Sequence, residues 1–119
     1  MATTLKRSLV ETEPISANDQ LVSGHVVEDD VYVTGTGEFN RGDVLVSTDY
    51  VNYTKATEAS IKTAKSICIM SGSTIEGVTD SMIAEAYFEG EFTESCLNLP
   101  CELTDEIKGI LREHRLYVR

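Results

Sequence analysis

Cys96 and Cys101, with His114 and His25, are the residues that could hold a metal. Zinc takes four convergent N/S ligands, usually delivered as tight pairs such as C-x2-C. Here four residues separate the thiols, Pro100 stands among them, and no second pair exists. The spacing points instead to thiols packed as small apolar groups. Cys68 lies in the apolar run Ile67-Cys-Ile69. A nucleophilic thiol needs nearby positive charge and solvent, so this one reads as inert. His114 falls near a helix end, where a basic side chain suits the dipole. Nothing in the spacing pairs either histidine with a nucleophile. Gly35-x-Gly37 lacks the third glycine and the following helix of a dinucleotide fingerprint, and no GxxxxGK[ST] loop occurs. Glu89 and Glu91 would share one strand face across Gly90, as paired carboxylates can in general acid–base work. Two such acids more often face solvent. No D-x-D-x-D-G loop turns the acids of 76–106 into a calcium site. The expectation is a chain with no catalytic residues, no metal and no cofactor.

Charge narrows the partners. Twenty acids face ten bases among 119 residues, a net charge of −10. Nucleic acids and anionic membranes are both held through Lys and Arg, so neither is an expected partner. No run approaches the ~18 apolar residues of a membrane span. Acidic and polar residues interrupt the first twenty, so no signal peptide is read and synthesis inside a cell is expected. Three cysteines form no even disulfide framework and should stay reduced. The bases are unevenly spread. None lies between Lys65 and Lys108, a stretch with nine acids, whereas the last twelve residues hold Lys108, Arg112, Arg115 and Arg119. This is either a solvated acidic face with a basic helix end, or a head-to-tail contact between copies.

These residues need elements to position them. Residues 1–22 carry Leu5, Leu9, Val10 and Ile15 with no sustained period, and read as an extended, partly disordered arm. Residues 23–119 read as one domain of ordinary composition, 41% hydrophobic and 25% charged. A chain of this length can bury a core without staples. Val26, Val27, Val31, Tyr32 and Val33 cluster as strand, and Gly35-Thr-Gly37 and Asn40-Arg-Gly-Asp43 are turns. Val44-Leu-Val46 follows, then a reversal around Thr48-Asp-Tyr50 and Asn52-Tyr53. Ile67-Cys-Ile-Met70 is the type of strand buried on both faces. Met82, Ala84, Ala86 and Phe88 alternate with Ile83, Glu85, Tyr87 and Glu89, a strand with its first row inward, and Gly90 should then turn the chain. One late helix is expected: Thr104 caps it, Asp105 and Glu106 suit its dipole, and Ile107, Ile110 and Leu111 form its buried stripe. Gly109 inside it costs about 1 kcal/mol relative to Ala. Leu116-Tyr-Val118 closes as a strand. The fold class is mostly β (α+β): a small barrel or sandwich with one late helix and a flexible N-terminal arm.

Three stretches in this order resemble the lambda-type head decoration proteins of tailed phages and prophages, which stabilise the capsid. Gly37-Glu-Phe-Asn-Arg-Gly-Asp-Val-Leu45 is similar to the family's turn and R-G-x-x-L strand start. Residues 82–97 are similar to its small-residue strand followed by G-x-F/Y, here Gly90-Glu-Phe92. Residues 103–118 resemble its closing helix, E-x-x-x-x-L-R, leading into a short apolar strand. The chain departs from the family at His114-Arg-Leu116, where a Gly-Ile pair is common, and residues 49–64 have no counterpart.

The resemblance implies a non-enzymatic virion protein, made in the host cytoplasm and carried on the outer capsid surface. It implies trimers at three-fold and quasi-three-fold sites that hold major capsid protein subunits against the pressure of packaged DNA. It implies a capsid-binding arm, here Thr3, Thr4, Leu5, Lys6, Arg7, Ser8, Leu9 and Val10, that orders by adding backbone to a coat sheet. On this reading Glu89, Glu91, Arg112 and Arg115 are the charges expected at trimer contacts. Two other roles fit the composition: an acidic β-rich adaptor for a soluble protein, and another virion component such as a tail or connector piece.

Overall fold

The computed structural model describes residues 21–35, 37–75 and 81–119. The elements run β1 (Val22–Val33), β2 (Val44–Ser47), β3 (Asn52–Lys55), α1 (Glu58–Thr63), β4 (Ser66–Met70), β5 (Met82–Phe92), a 3-10 turn (Glu94–Cys96), α2 (Asp105–Glu113) and β6 (Leu116–Val118). The chain is a mixed α/β domain, mostly sheet. The six strands lie in the order β1-β3-β2-β4-β5-β6, and β1 also pairs with β5. Hydrogen-bonded pairing therefore passes from β1 through β3, β2, β4 and β5 and returns to β1. The pairings are antiparallel except β1–β3 and β5–β6. No helix among the described residues is long and apolar enough to cross a membrane.

Two apolar clusters flank the strands. Val31, Val33, Leu45, Tyr53, Cys68, Met70, Ala84 and Ala86 form one. Val44, Val46, Ile67, Ile69, Phe92, Ile107, Leu111 and Leu116 belong to the other, which both helices cover. Successive strand side chains point to opposite faces. Val44 and Val46 thus serve one cluster while Leu45 serves the other, and Cys68 likewise faces away from Ile67 and Ile69. That is why β2 and β4 are continuous apolar runs rather than alternating ones.

The late helix forms as its sequence requires. The Thr104 hydroxyl accepts from Ile107 N–H at 3.2 Å, and Asp105 and Glu106 occupy the first turn. Ile107 and Leu111 are fully buried and Ile110 packs beside them. Truncating Leu111 to Ala would cost about 2–5 kcal/mol. Arg115, at φ +67, ends the helix in the left-handed region where glycine is the usual residue.

Three expectations need correction. Among the described residues there are two α-helices, not one. In α1 the Thr57 hydroxyl accepts from Ser60 N–H at 3.1 Å, and the Ser60 hydroxyl accepts from Thr57 N–H at 2.7 Å. This reciprocal cap holds a helix of six residues with Ile61 alone buried, too short to leave an apolar period. Gly90 does not turn the chain, because β5 runs through it to Phe92. Its role is close approach: a Cβ there would lie 2.9 Å from Val22 Cγ2 and 3.2 Å from Val26 Cγ1. The β1–β5 register slips opposite it, between Ser23 and Val27, so bulged β1 backbone crowds the position. Finally, Met82 is exposed, although Ala84 and Ala86 of its row are buried.

Leu21 is buried and Val22 opens β1, both inside the stretch read as the arm. The arm residues Thr3, Thr4, Leu5, Lys6, Arg7, Ser8, Leu9 and Val10 lie outside the described residues.

Candidate functional site

The residues that suggested chemistry are dispersed. His25 is exposed on β1, His114 caps the end of α2, Cys96 closes the 3-10 turn, and Cys101 lies between that turn and α2. Among the described residues no group of three or more His, Cys, Asp or Glu converges to hold a metal. Cys68 is fully buried in β4, and burial pushes its thiol far up. Burial and then the Glu58 carboxylate raise the Cys101 thiol. Both shifts disfavour the thiolate, which is the nucleophilic and metal-binding form.

Of the charges expected at trimer contacts, Glu89 and Arg115 meet each other within the chain, and Glu91 meets Arg119. β6 lies beside β5, with Gly90 opposite Leu116 and Glu91 opposite Tyr117. Arg115 Nη1 consequently lies 3.8 Å from Glu89 Oε1. Arg119 Nη2 lies 3.3 Å from Glu91 Oε1 and donates to the Ser23 hydroxyl at 2.9 Å. The Arg115 and Arg119 side chains are 74% and 68% exposed, so water screens both pairs. Arg112 is exposed on α2.

Two polar constructions escaped the sequence reading. The first surrounds Asp43, which is buried at the start of β2. Its carboxylate accepts from Asn40 N–H and from Asn98 Nδ2, each at 2.8 Å, and stands 4.0 Å from Lys55 Nζ. The adjoining Arg41 donates to the Ser71 carbonyl and lies over the Tyr87 ring, 5.7 Å from its centroid. The Arg-Gly-Asp turn thus fastens the loop at 98 to β3, β4 and β5. Gly42, at φ +94, supplies a backbone that a side chain would strain. Asp and Asn beside Gly signal such a turn, but not which distant elements it reaches.

The second is the loop between β2 and β3. The Asp49 carboxylate accepts from Val51 N–H and Asn52 N–H at 2.9 Å and from the Ser47 hydroxyl at 2.9 Å. These donors, with the Asn52 backbone foremost, hold the Asp49 carboxyl well below the usual carboxylate range. The Ser47 hydroxyl in turn accepts from Tyr50 N–H at 2.9 Å. The network keeps Tyr50 at φ +66, a conformation uncommon for an aromatic residue, and leaves Tyr50 and Val51 in solvent. Nearby Tyr32 is exposed as well, and Ile83 stands opposite it on β5. This apolar surface is preformed, since side-chain and backbone bonds fix its loop.

No family model matches the chain, and no curated protein is similar to it at a significant level. The described residues present an exposed apolar rim on a hydrogen-bonded loop and a basic end folded back on β5.

Proposed function

We propose that this chain is a structural decoration protein of tailed-phage heads. It binds the outside of the expanded capsid as trimers at three-fold and quasi-three-fold sites and acts without catalysis or cofactor. The observation that carries this reading is the meeting of the three stretches that resemble the family. Arg41 of the first stretch stacks on Tyr87 of the second. Gly90 of the second donates its N–H to the Arg115 carbonyl of the third at 3.2 Å. The three stretches thus touch one another in the fold, and that contact is what supports the reading.

In the same reading the strand ring is a small barrel, which is what pairing of β1 with both β3 and β5 supports. The charge of −10 suits a capsid exterior turned away from packaged nucleic acid. Thr3, Thr4, Leu5, Lys6, Arg7, Ser8, Leu9 and Val10 form the arm that adds a strand to the major capsid protein. Glu89, Glu91, Arg112 and Arg115 lie at contacts between copies, where the exposed pairs of one chain are exchanged for pairs with its neighbour. Three weak contacts per trimer give avidity. A partner that binds only the expanded lattice stabilises it by mass action.

The test is attachment to shells in two states. The full chain, mixed with undecorated heads and sedimented, should pellet saturably with expanded heads and stay in solution with unexpanded ones. Equal binding to both, or to neither, contradicts the reading. A chain lacking residues 1–20 should fold yet fail to attach; attachment at full affinity would remove the arm from the account.

A further inference from the structure

Strand β1 outruns its neighbour. On one side it pairs with β5 from Val22 to Val33. On the other, β3 meets it only at Tyr32 and Val33. Among the described residues no strand covers this outer edge over residues 22–31. Asp30 N–H already donates to the Asp29 carboxylate at 2.8 Å, and the other N–H and C=O groups of such an edge are a template for one more extended segment.

A cleft of about 400 Å³ opens where this edge parts from β3. Tyr53 and Phe88 line it, their rings meeting edge to face at 6.0 Å. Tyr50 and Val51 form its rim, 64% and 52% exposed. Asp29 and Asp30 line the same cleft from the free edge of β1. The rim needs no ordering when something binds, because Asp49 and Ser47 already fix the loop.

We propose that this cleft docks an extended segment of a partner protein, one that carries Lys or Arg beside an apolar residue. The segment lies along the free edge of β1 and pairs with its backbone. Its apolar side chain enters over Tyr53 and Phe88, and its neighbouring cation, on the opposite face of the segment, meets Asp30. Charge complementarity selects this occupant. The residues lining the cleft include two carboxylates and no base, so an acidic segment is repelled. The proposal is independent of any role on a phage head.

The test is an NMR titration of the isotope-labelled full chain with two synthetic heptapeptides. One alternates valine and lysine between terminal threonines, and its twin carries glutamate in place of lysine. The lysine peptide should shift the amides of residues 29–32, Tyr50 and Val51 saturably. It should bind about tenfold more tightly than its twin, and several-fold more weakly at high salt. Val51→Lys, on an exposed position, should leave the remaining spectrum unchanged and abolish the effect. Equal response to both peptides, shifts confined to other surfaces, or no saturable shift at millimolar peptide overturns the proposal. So does concentration dependence of the same amides without peptide, which assigns the cleft to a second copy. Through-space contacts from residues 1–20 to Tyr53 in the free chain overturn it too, since the chain would then fill its own cleft.

Discussion

Arg119 stands 3.3 Å from Glu91 while donating to the Ser23 hydroxyl at 2.9 Å, so one residue beyond β6 spans β5 and β1. Arg115, just before β6, lies 3.8 Å from Glu89 of β5. Exposed pairs of this kind contribute little to a single chain. Arg115→Ala and Arg119→Ala should each change unfolding free energy in denaturant by less than about 1 kcal/mol. In the proposed trimer Glu89, Glu91 and Arg115 act between copies. Arg115→Ala should therefore weaken particle attachment by more than its stability change explains, and flatten the dependence of attachment on salt. Equal attachment of wild-type and variant at every salt concentration would remove Arg115 from the contacts between copies.

Two glycines should respond to alanine with opposite signs. At Gly90 a Cβ would lie 2.9 Å from Val22 Cγ2, and crowding there should destabilise by about 1–3 kcal/mol. At Gly109, inside α2, a Cβ meets nothing within 4 Å. Gly109→Ala should stabilise by about 0.5–1 kcal/mol through helix propensity. Thermal unfolding of the two variants beside wild-type checks both, and a stabilised Gly90→Ala would refute the close packing of β1 on β5.

Thiol counting separates the cysteines. Cys68 is fully buried with its thiol pushed far up, whereas Cys96 and Cys101 are half-buried. A chromogenic thiol reagent at neutral pH should titrate two groups in the native protein and three after denaturation. Cys101 should react more slowly than a free thiol, because burial and Glu58 raise it. Three fast thiols in the native state would contradict the packing around β4.

Asp49 should make the loop acid-sensitive. Its carboxyl titrates below the ordinary value of 3.8 because Asn52, Val51 and Ser47 donate to the charged form. A carboxylate depressed in the folded state contributes stability that is complete above its unfolded value and fades as pH falls below it. The stability difference between wild-type and Asp49→Asn should thus be constant above about pH 5 and shrink as pH falls below 3.8. Denaturant unfolding at several pH values measures it. A difference that grows on acidification would contradict the hydrogen-bond assignment.

The strands and the late helix were legible because their signals are local. Thr104 with Asp105 and Glu106 marks a helix start, and Ile67-Cys-Ile-Met70 marks a doubly buried strand, whatever surrounds them. α1 was missed because a single buried residue, Ile61, makes no period. Gly90 was misread because a glycine at a turn and a glycine under a bulge look alike along the chain, and only the approach of Val22 and Val26 distinguishes them. That Arg115 comes to Glu89 within one chain is not legible either, since nothing local tells that β6 returns beside β5. The cleft at the β1 edge was invisible for the same reason, as it depends on where β3 stops pairing.

The most direct test of the central claim is imaging of expanded heads saturated with the full chain, with copies per particle counted. The account predicts trimeric density on the outer surface at three-fold and quasi-three-fold positions, and hundreds of copies per head, the family-level expectation for decoration. Density confined to a single vertex with about a dozen copies, or no density on heads confirmed to be expanded, would contradict it.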